Sequence, residues 1–239
     1  MGTAGATDDA NDVAASLRVL EPLLGVAAGA PVPLHGGITN RNYVVRLGDR
    51  DYVVRLPGGD RALLGISGDG ERLASESAAA LGIAPGVAVE LASCLVTEFV
   101  DARQLPQAEL RRSPEPVARA LRSFHEQGPA LPTRFDVPRL LDSYAAIVND
   151  RGGTLPAQYP LACKALMRID AALPAMVRVP CHNDLLIGNL LQSVDGRVMI
   201  VDWEYAGMGD RYFDLGNLSV NNDFEPDDDE RLLAAYLGL

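Results

Sequence analysis

The amino-acid sequence predicts an α+β fold of two lobes, an N-terminal antiparallel sheet with one helix and a C-terminal lobe that is mainly helical. Between residues 34 and 100, short runs of β-branched and aromatic residues alternate with turn-forming residues, which is typical of antiparallel strands. After residue 106, apolar residues recur every three or four positions, which is the period of amphipathic helices. We therefore expect an N-terminal helix and linker (1–33), a sheet lobe (34–100) and a helical lobe (101–239).

The elements of the first lobe follow from local patterns. Apolar spacing predicts a helix over 13–24, which a linker rich in Gly, Ala and Pro follows. The pentapeptide Tyr-Val-Val-Arg-Leu occurs twice, within 42–47 and within 52–56, and the turn-forming residues 48–51 between the copies predict a hairpin. Residues 71–81 are predicted as a helix that ends before Gly82 and Pro85. Two further strands are predicted over 87–91 and 94–100.

The second lobe is predicted to contain several helices and one small hairpin. Helical spacing of apolar residues covers 114–127, 140–149 and 159–173. The apolar run 198–201 follows Asp195-Gly196, which predicts a short hairpin. The acidic run 223–230 is expected to be solvated and to lead into a last helix over 231–236.

Composition and charge exclude several classes of function. The 239 residues are 48% hydrophobic and 22% charged, which is enough to bury a large core. The 32 acidic residues outnumber the 21 basic ones and give a formal net charge of -11. That charge argues against nucleic acid and anionic membranes as partners. The first dozen residues carry neither the cationic start nor the apolar stretch of a signal peptide, so we expect a cytoplasmic protein.

Cysteine and lysine usage narrows the chemistry further. The three cysteines have neither CxxC nor Cys/His spacing, which predicts reduced and mostly buried thiols. Lys164 is the only lysine in the sequence. Any side chain that binds a phosphate by its positive charge is therefore expected to be an arginine.

The strongest chemical signal is His182-Asn183-Asp184, followed by Asn189 and, after a short strand, by Asp202. Phosphoryl transfer to a hydroxyl needs a carboxylate that orients the nucleophile and accepts its proton, together with oxygen ligands for Mg²⁺. Asp184 is predicted as the catalytic base, and Asn189 and Asp202 as metal ligands. The HxDxxxxN spacing matches the catalytic loop of protein kinases. The alternative is that each of these residues only caps a helix, turn or strand end.

A second cluster of polar residues precedes the predicted hairpin. Gly36 and Gly37 would let backbone amides approach an anion, and Thr39 and Asn40 add short polar donors. This segment is predicted as a lid over the phosphates of ATP. A plain turn is the alternative, because the run is neither a Walker loop nor GxGxxG.

Two more sites complete the predicted nucleotide cleft. Arg55, on the second hairpin strand, is predicted to bind phosphate, with Glu71 as the acidic partner that holds it and Glu76 as the second choice. Residues 97–100 would connect the lobes, and the backbone of Glu98 and Val100 could bind the adenine edge. The alternatives are that Arg55 is a surface residue and that the connection is simply a strand end.

These motifs resemble the choline/ethanolamine kinase family, particularly its bacterial lipopolysaccharide-type choline kinases, within the aminoglycoside phosphotransferase and protein-kinase-like superfamily. The resemblance rests on the residues at 36–40, 52–58, 81–85 and 182–184, on Asp-Trp-Glu-Tyr-Ala-Gly at 202–207, and on Phe-Asp-Leu at 213–215. It implies a two-lobed kinase-like fold, ATP with Mg²⁺, and phosphorylation of choline or ethanolamine.

The resemblance also implies roles for individual residues. Glu204 would lie near the metal or the substrate, and His182 would be a structural brace. Asp214 would be a buried carboxylate that braces the catalytic loop. Independently of the resemblance, a cationic acceptor fits the chemistry of Trp203 and Tyr205 beside Asp184, since aromatic faces stabilise quaternary ammonium groups. These two aromatic residues could equally belong to the core.

The sequence departs from the family pattern after Leu239, where family members continue with helices that help to form the acceptor pocket. From this we expect an open acceptor site, or one that a homodimer partner completes. A truncated, non-catalytic nucleotide-binding module is one alternative function, and a kinase for thiamine or an aminoglycoside is another. A metal-dependent hydrolase is a weaker alternative, because such sites usually need more carboxylate or histidine ligands.

Overall fold

The N-terminal lobe is a five-stranded antiparallel sheet in the order β1-β2-β3-β5-β4. The structure is a computed structural model that describes residues 4–34, 40–58, 61, 65–172 and 177–239. The predicted antiparallel sheet with one helix is confirmed. The elements of this lobe are α1 (Ala4–Leu24), β1 (Val32–Leu34), β2 (Asn40–Leu47), β3 (Arg50–Pro57), α2 (Gly68–Ala80), β4 (Val87–Leu91) and β5 (Cys94–Glu98).

The β2–β3 hairpin is tighter than the sequence predicts. Leu47 pairs with Arg50, so the turn is Gly48-Asp49 alone and the strands take up the rest of the predicted turn. Gly48 has φ +60°, a backbone conformation that glycine adopts without steric cost.

The two faces of this sheet serve different purposes because side chains alternate along each strand. Tyr52, Val54 and Leu56 of β3 are buried in a cluster that includes Val13 and Leu20 of α1. The side chains between them, at 53 and 55, point to the opposite face and line a cavity between the lobes. The hairpin therefore anchors the lobe with one face and presents Arg55 with the other.

The second lobe packs around the helix α4 (Glu115–Gln127). Leu121 and Phe124 of this helix are fully buried among residues from the catalytic segment and the last helices, including Leu185 and Ile200. A three-stranded sheet (β6-β8-β9) and a β7–β10 pair flank the core. The elements are β6 (Ala102–Gln104), α3 (Gln107–Arg112), α4 (Glu115–Gln127), α5 (Val137–Asp150), α6 (Tyr159–Ala172), β7 (Val179–Cys181), β8 (Leu190–Ser193), β9 (Val198–Ile200), β10 (Gly207–Gly209), α7 (Arg211–Asn221) and α8 (Pro226–Leu237).

Several boundaries differ from the sequence expectation, among them those of α2, β5 and α8. The helix α2 begins at Gly68 rather than at 71, because the Ser67 side chain accepts a hydrogen bond from Gly70 N–H and caps the earlier turn. β5 ends at Glu98, two residues before the predicted end. α8 begins at Pro226, so much of the acidic run forms the first helical turn, where negative charge is favourable.

The helix α7 has no counterpart in the sequence prediction. It is capped by Asp210, whose side chain accepts from Tyr212 N–H at 2.9 Å. Gly216 and Asn217 lie inside it, and both are weak helix formers that mask the helical pattern. Among the helices in the described ranges, no stretch has the length and apolar character that crossing a membrane demands.

Candidate active site

The loop that carries Asp184 follows β7 and is held by two side chains of α7. Asp214 is fully buried, and its carboxylate accepts hydrogen bonds from the backbone N–H groups of His182 (2.8 Å) and Asn183 (2.7 Å). Leu185 N–H donates to Asn217 Oδ1 at 2.6 Å. Sequence reasoning singled out Asp214, whereas no pattern marked Asn217. Together these bonds fix the backbone on both sides of Asp184.

The His182 ring links this loop to the segment before Asp202. Its Nδ1 accepts from Asp184 N–H at 3.2 Å, and its Nε2 lies 3.0 Å from Val201 O. The ring therefore accepts on one side and donates on the other, as a neutral imidazole does. His182 is completely buried, and both of its ring nitrogens are engaged in these hydrogen bonds. These contacts agree with a structural role for the ring.

Asp184 and Asn189 are in direct contact. Asn189 Nδ2 donates to Asp184 Oδ2 (3.1 Å) and to the backbone oxygen of Asp184 (2.8 Å). Because its amide nitrogen is engaged in this way, the amide oxygen of Asn189 is the atom that can bind a cation. Burial, and then the nearby negative charge of Asp202, raise the pKa of Asp184, against the opposing effects of His182 and Asn189.

Asp202 lies directly after β9 in a left-handed backbone conformation (φ 68°, ψ 60°). Such backbone conformations are uncommon outside glycine and are found disproportionately at functional sites. The carboxylate Oδ1 of Asp202 is 2.5 Å from Arg55 Nη2. The structure thus brings the predicted metal ligand together with the predicted phosphate-binding cation.

Arg55 lies between two carboxylates. Its Nη1 is 2.6 Å from Glu71 Oε1, and Glu71 Oε2 is in turn 2.5 Å from Arg61 Nη2. Burial alone would lower the pKa of Arg55. The negative charges of Asp202 and Glu71 raise this pKa by more than burial lowers it, so the pKa of Arg55 is raised overall. The second-choice partner, Glu76, instead pairs with Arg72 at 2.9 Å. Arg61 was not foreseen, since nothing in its Gly-rich loop distinguishes it from other arginines.

Glu204 connects the two lobes. Its side chain is buried, and Oε2 accepts from Asn40 Nδ2 at 2.7 Å, although Asn40 belongs to β2 of the first lobe. The other predicted members of the phosphate lid, Gly36, Gly37 and Thr39, lie outside the described residues. The structure therefore links the start of β2 to the segment that follows Asp202.

The two predicted aromatic residues have different surroundings. Trp203 is only 2% exposed, its ring centroid is 4.5 Å from that of Phe124 and 4.6 Å from that of His182, and its Nε1 donates to Ile200 O at 3.0 Å. This ring belongs to the core, which is the alternative that the sequence left open. Tyr205 is half-buried, and burial followed by the charge of Glu204 raises its pKa to about 12.

A cavity of about 680 Å³ lies between the lobes. Arg55, Asn189 and Asp202 line it together, and Glu98 and Val100 of the lobe connection line it as well. The connection is held on both sides, because Glu98 N–H donates to Gly86 O (2.8 Å) and Phe99 N–H to Asp51 O (3.1 Å). After residue 100 the chain enters β6, which pairs with β8 of the second lobe.

Comparison with known proteins gives a consistent result. The family model described as "Phosphotransferase enzyme family" matches residues 31–238. A choline/ethanolamine kinase family protein from Mesorhizobium loti has a crystal structure that is 32% identical, with a TM-score of 0.75, and the match covers 95% of this chain and 76% of that one. Choline kinase LicA from Streptococcus pneumoniae is 24% identical, with a TM-score of 0.81, over 95% of this chain and 80% of that one.

Among curated proteins, Protein LicA from Haemophilus influenzae is 22% identical over 207 residues, or 84% of this chain. The match spans 61% of the length of that relative. The two-lobed kinase-like fold predicted from the sequence is thereby confirmed, since structural neighbours with that fold cover almost the whole chain.

Proposed function

This chain belongs to the phosphotransferase enzyme family, and to its choline/ethanolamine kinases, and we propose that it transfers the γ-phosphate of ATP to the hydroxyl of choline or a related amino alcohol such as ethanolamine. The observation that carries the proposal is that Arg55, Asn189 and Asp202 line the same cavity, with Asp184 bonded to Asn189. Those are the side-chain types that phosphoryl transfer to an alcohol needs.

ATP suits the cavity in size and in chemistry. The volume of about 680 Å³ falls within the usual range for small-molecule sites. Apolar side chains such as Val53 and Ala84 line it together with the connection at 97–100, and we propose that the backbone of Glu98 and Val100 binds the adenine edge. Arg55, held by Glu71, would bind the phosphates as a fixed cation.

Asn189 and Asp202 fit Mg²⁺ as ligands. An amide oxygen and a carboxylate line the same cavity, and oxygen ligands are those that Mg²⁺ prefers. When bound there, Mg²⁺ would neutralise charge on the phosphates. The charge of Glu204 contributes to raising the pKa of Arg55, and we propose that Glu204 contributes to binding of the metal or the substrate.

Asp184 would orient the acceptor hydroxyl and take up its proton during transfer. The raised pKa of Asp184, caused first by burial, makes it a better proton acceptor than an ordinary aspartate. Arg55 would balance the negative charge of the phosphates, and the lid at 36–40 would exclude water from them. Asp214 and His182 would keep the loop in place without touching the substrate.

Tyr205 and two carboxylates suggest the side of the site on which the acceptor would bind. Asp184 and Glu204 lie near the Tyr205 hydroxyl closely enough to affect its pKa. Carboxylates and a tyrosine face favour an ammonium group, so these three residues support a cationic alcohol as the substrate. Trp203 is buried against Phe124, and we assign it a supporting role behind this surface.

The test is ADP release from Mg-ATP, with choline, ethanolamine, thiamine and an aminoglycoside each added in turn. We expect release with choline or ethanolamine and none with Asp184→Asn. The control is Asp142→Asn, which makes the same change on α5, outside the catalytic segment. Release with thiamine or the aminoglycoside alone would change the acceptor class. No release in a folded chain that binds ATP would reject the kinase and leave a nucleotide-binding module.

The sequence-based division at residues 33 and 100, the homodimer and the cytoplasmic location stay predictions. Sedimentation of the purified chain tests the dimer. If a partner completes the acceptor site, activity per chain will rise with protein concentration as the dimer forms.

A further inference from the structure

A series of buried hydrogen bonds runs from the last helix to the catalytic loop. The Tyr236 hydroxyl on α8 is 2.8 Å from His125 Nδ1 on α4. His125 Nε2 is 2.9 Å from Asp214 Oδ2 on α7. The Asp214 carboxylate then accepts the N–H groups of His182 and Asn183. Each of these five residues is at most 5% exposed, so water does not compete for the bonds.

The Asp214 carboxylate determines which nitrogen of His125 carries the hydrogen between them. Asp214 is an acceptor for the two backbone N–H groups and for His125, so His125 Nε2 carries a hydrogen and donates. In the neutral ring the other nitrogen, Nδ1, is an acceptor for the hydroxyl hydrogen of Tyr236. Burial raises the pKa of Tyr236 to about 12, although Arg211 opposes the rise. The hydroxyl thus stays protonated and remains a donor.

Hydrogen bonds explain the arrangement of these buried side chains better than a bound metal ion does. Single ligand atoms of His125, Cys181 and Asp214 lie within 4.8 Å of one another. However, both ring nitrogens of His125 are engaged in hydrogen bonds, and both oxygens of Asp214 accept backbone N–H groups. The cluster is satisfied without an ion.

The catalytic loop needs this support because its backbone is unusual. Asn183 has φ 68°, outside the conformations that a non-glycine residue prefers. Its N–H and that of His182 are held by a single carboxylate, so a rotation of Asp214 would shift the backbone that carries Asp184. Small displacements of a reacting group cost large factors in rate.

We propose that Tyr236 is a positioning residue for Asp184, acting through His125 and Asp214, an inference that rests on the proposed kinase function. The hydroxyl fixes the His125 ring, the ring fixes the carboxylate, and the carboxylate holds the loop. Tyr236 is 3% exposed and is not among the residues that line the cavity between the lobes. Its effect is confined to the placement of the catalytic base.

The test is Tyr236→Phe, compared with Tyr212→Phe. Tyr212 is 39% exposed, so the control removes the same hydroxyl from a surface ring. In Tyr236→Phe we expect kcat to fall about tenfold or more, while KM for ATP changes less than about twofold. Backbone amide exchange at His182 and Asn183 should accelerate about tenfold, the factor for one lost buried hydrogen bond. The amide of Val54 in the distant sheet should exchange at its original rate.

A second variant tests the route. His125→Gln keeps a side-chain N–H near Asp214 but removes the ring that Tyr236 contacts. Adding Tyr236→Phe to His125→Gln should then change neither kcat nor loop exchange further. Additive effects would overturn the route through His125.

Two results would overturn the proposal itself. Unchanged exchange at His182 and Asn183 in Tyr236→Phe would show that the hydroxyl does not hold the loop. Equal acceleration at Val54 would show that it only stabilises the whole fold. If the wild-type chain phosphorylates no acceptor, the kinase function fails, and the exchange comparison still decides whether Tyr236 holds the loop.

Discussion

Arg55 and Asp202 face each other across the cleft, with Nη2 and Oδ1 2.5 Å apart. Arg55 comes from the sheet lobe, and Asp202 follows a strand of the helical lobe. The same guanidinium reaches Glu71 with its other terminal nitrogen. The planar guanidinium of an arginine has two terminal nitrogens in fixed directions and can therefore bind two carboxylates at once. The ammonium of a lysine is a compact charge without this fixed geometry.

We expect Arg55→Lys to keep the charge but weaken this double contact. Loss of one charged hydrogen bond is worth about 1.5–3 kcal/mol, so kcat/KM for ATP should fall about ten- to hundredfold. Steady-state kinetics at varied ATP measures the effect. Arg46→Lys is the matched control, because Arg46 occupies the same place in the other pentapeptide copy and pairs with Asp51 on the exposed surface. Similar losses in both variants would contradict a special role for Arg55.

The Trp203→Phe variant should lose stability rather than acceptor affinity. The change removes the donor to Ile200 O, and an unpaired buried carbonyl costs about 1–3 kcal/mol. Urea unfolding followed by circular dichroism measures the loss. KM for the acceptor should stay within about twofold in this variant and rise in Tyr205→Ala, which removes the accessible ring. A higher acceptor KM in Trp203→Phe would return this ring to the substrate site.

Asp214 should make the free energy of unfolding depend on pH only in acid. Burial alone would raise its pKa, but the hydrogen bonds from His125 and from the His182 backbone lower it overall. With a folded pKa below the unfolded value of about 3.9, the stabilisation is complete above that value and is lost as the pH falls through the folded pKa.

Urea unfolding of wild type and Asp214→Asn from about pH 7 to about pH 3 tests this. The variant should be less stable by about 3 kcal/mol or more near neutrality, because a buried carboxylate that accepts three hydrogen bonds is removed, and bonds to a charged group contribute about 1.5–3 kcal/mol each. The difference should shrink only below about pH 4. A difference that already shrinks between about pH 7 and pH 5 would show that another group controls it.

The cysteines should differ in reactivity. Cys94 and Cys181 are buried, whereas Cys163 is partly exposed. Burial raises the pKa of both buried thiols, and Asp214 adds to the effect at Cys181. Only thiolates react rapidly, so a disulfide reagent should label Cys163 alone in the native protein and all three cysteines in urea. Cys163→Ser should abolish native labelling, and rapid labelling that persists in this variant would contradict the assigned burial.

Local patterns predicted the parts of this fold that local forces determine. The repeated pentapeptide has period-two alternation, so the sequence alone indicates that Arg55 and its neighbour Val54 lie on opposite faces. The HxDxxxxN spacing likewise places Asp184 near Asn189. Both features depend on residues within one hairpin or one loop.

The remaining features depend on contacts between distant segments. The residues that neighbour Trp203 in the sequence do not show that Phe124 packs against its ring. The sequence alone therefore could not decide whether Trp203 belongs to the core or to the substrate site. Arg61 acquires its partner only when α2 brings Glu71 beside it. The helix α7 contains Gly216 and is stabilised by its packing, which propensity does not report.

The bond between His125 and Tyr236 joins residues 111 positions apart. Because the ribosome makes a protein from its N-terminus, His125 and the whole catalytic loop are synthesised before Tyr236 exists. Such distant contacts form late in folding. A nascent chain can therefore complete its nucleotide-facing sheet early, whereas its catalytic loop reaches the final arrangement only after α8 has left the ribosome. Phosphorylation by this chain would then depend on the synthesis of α8 and not only on that of the catalytic loop.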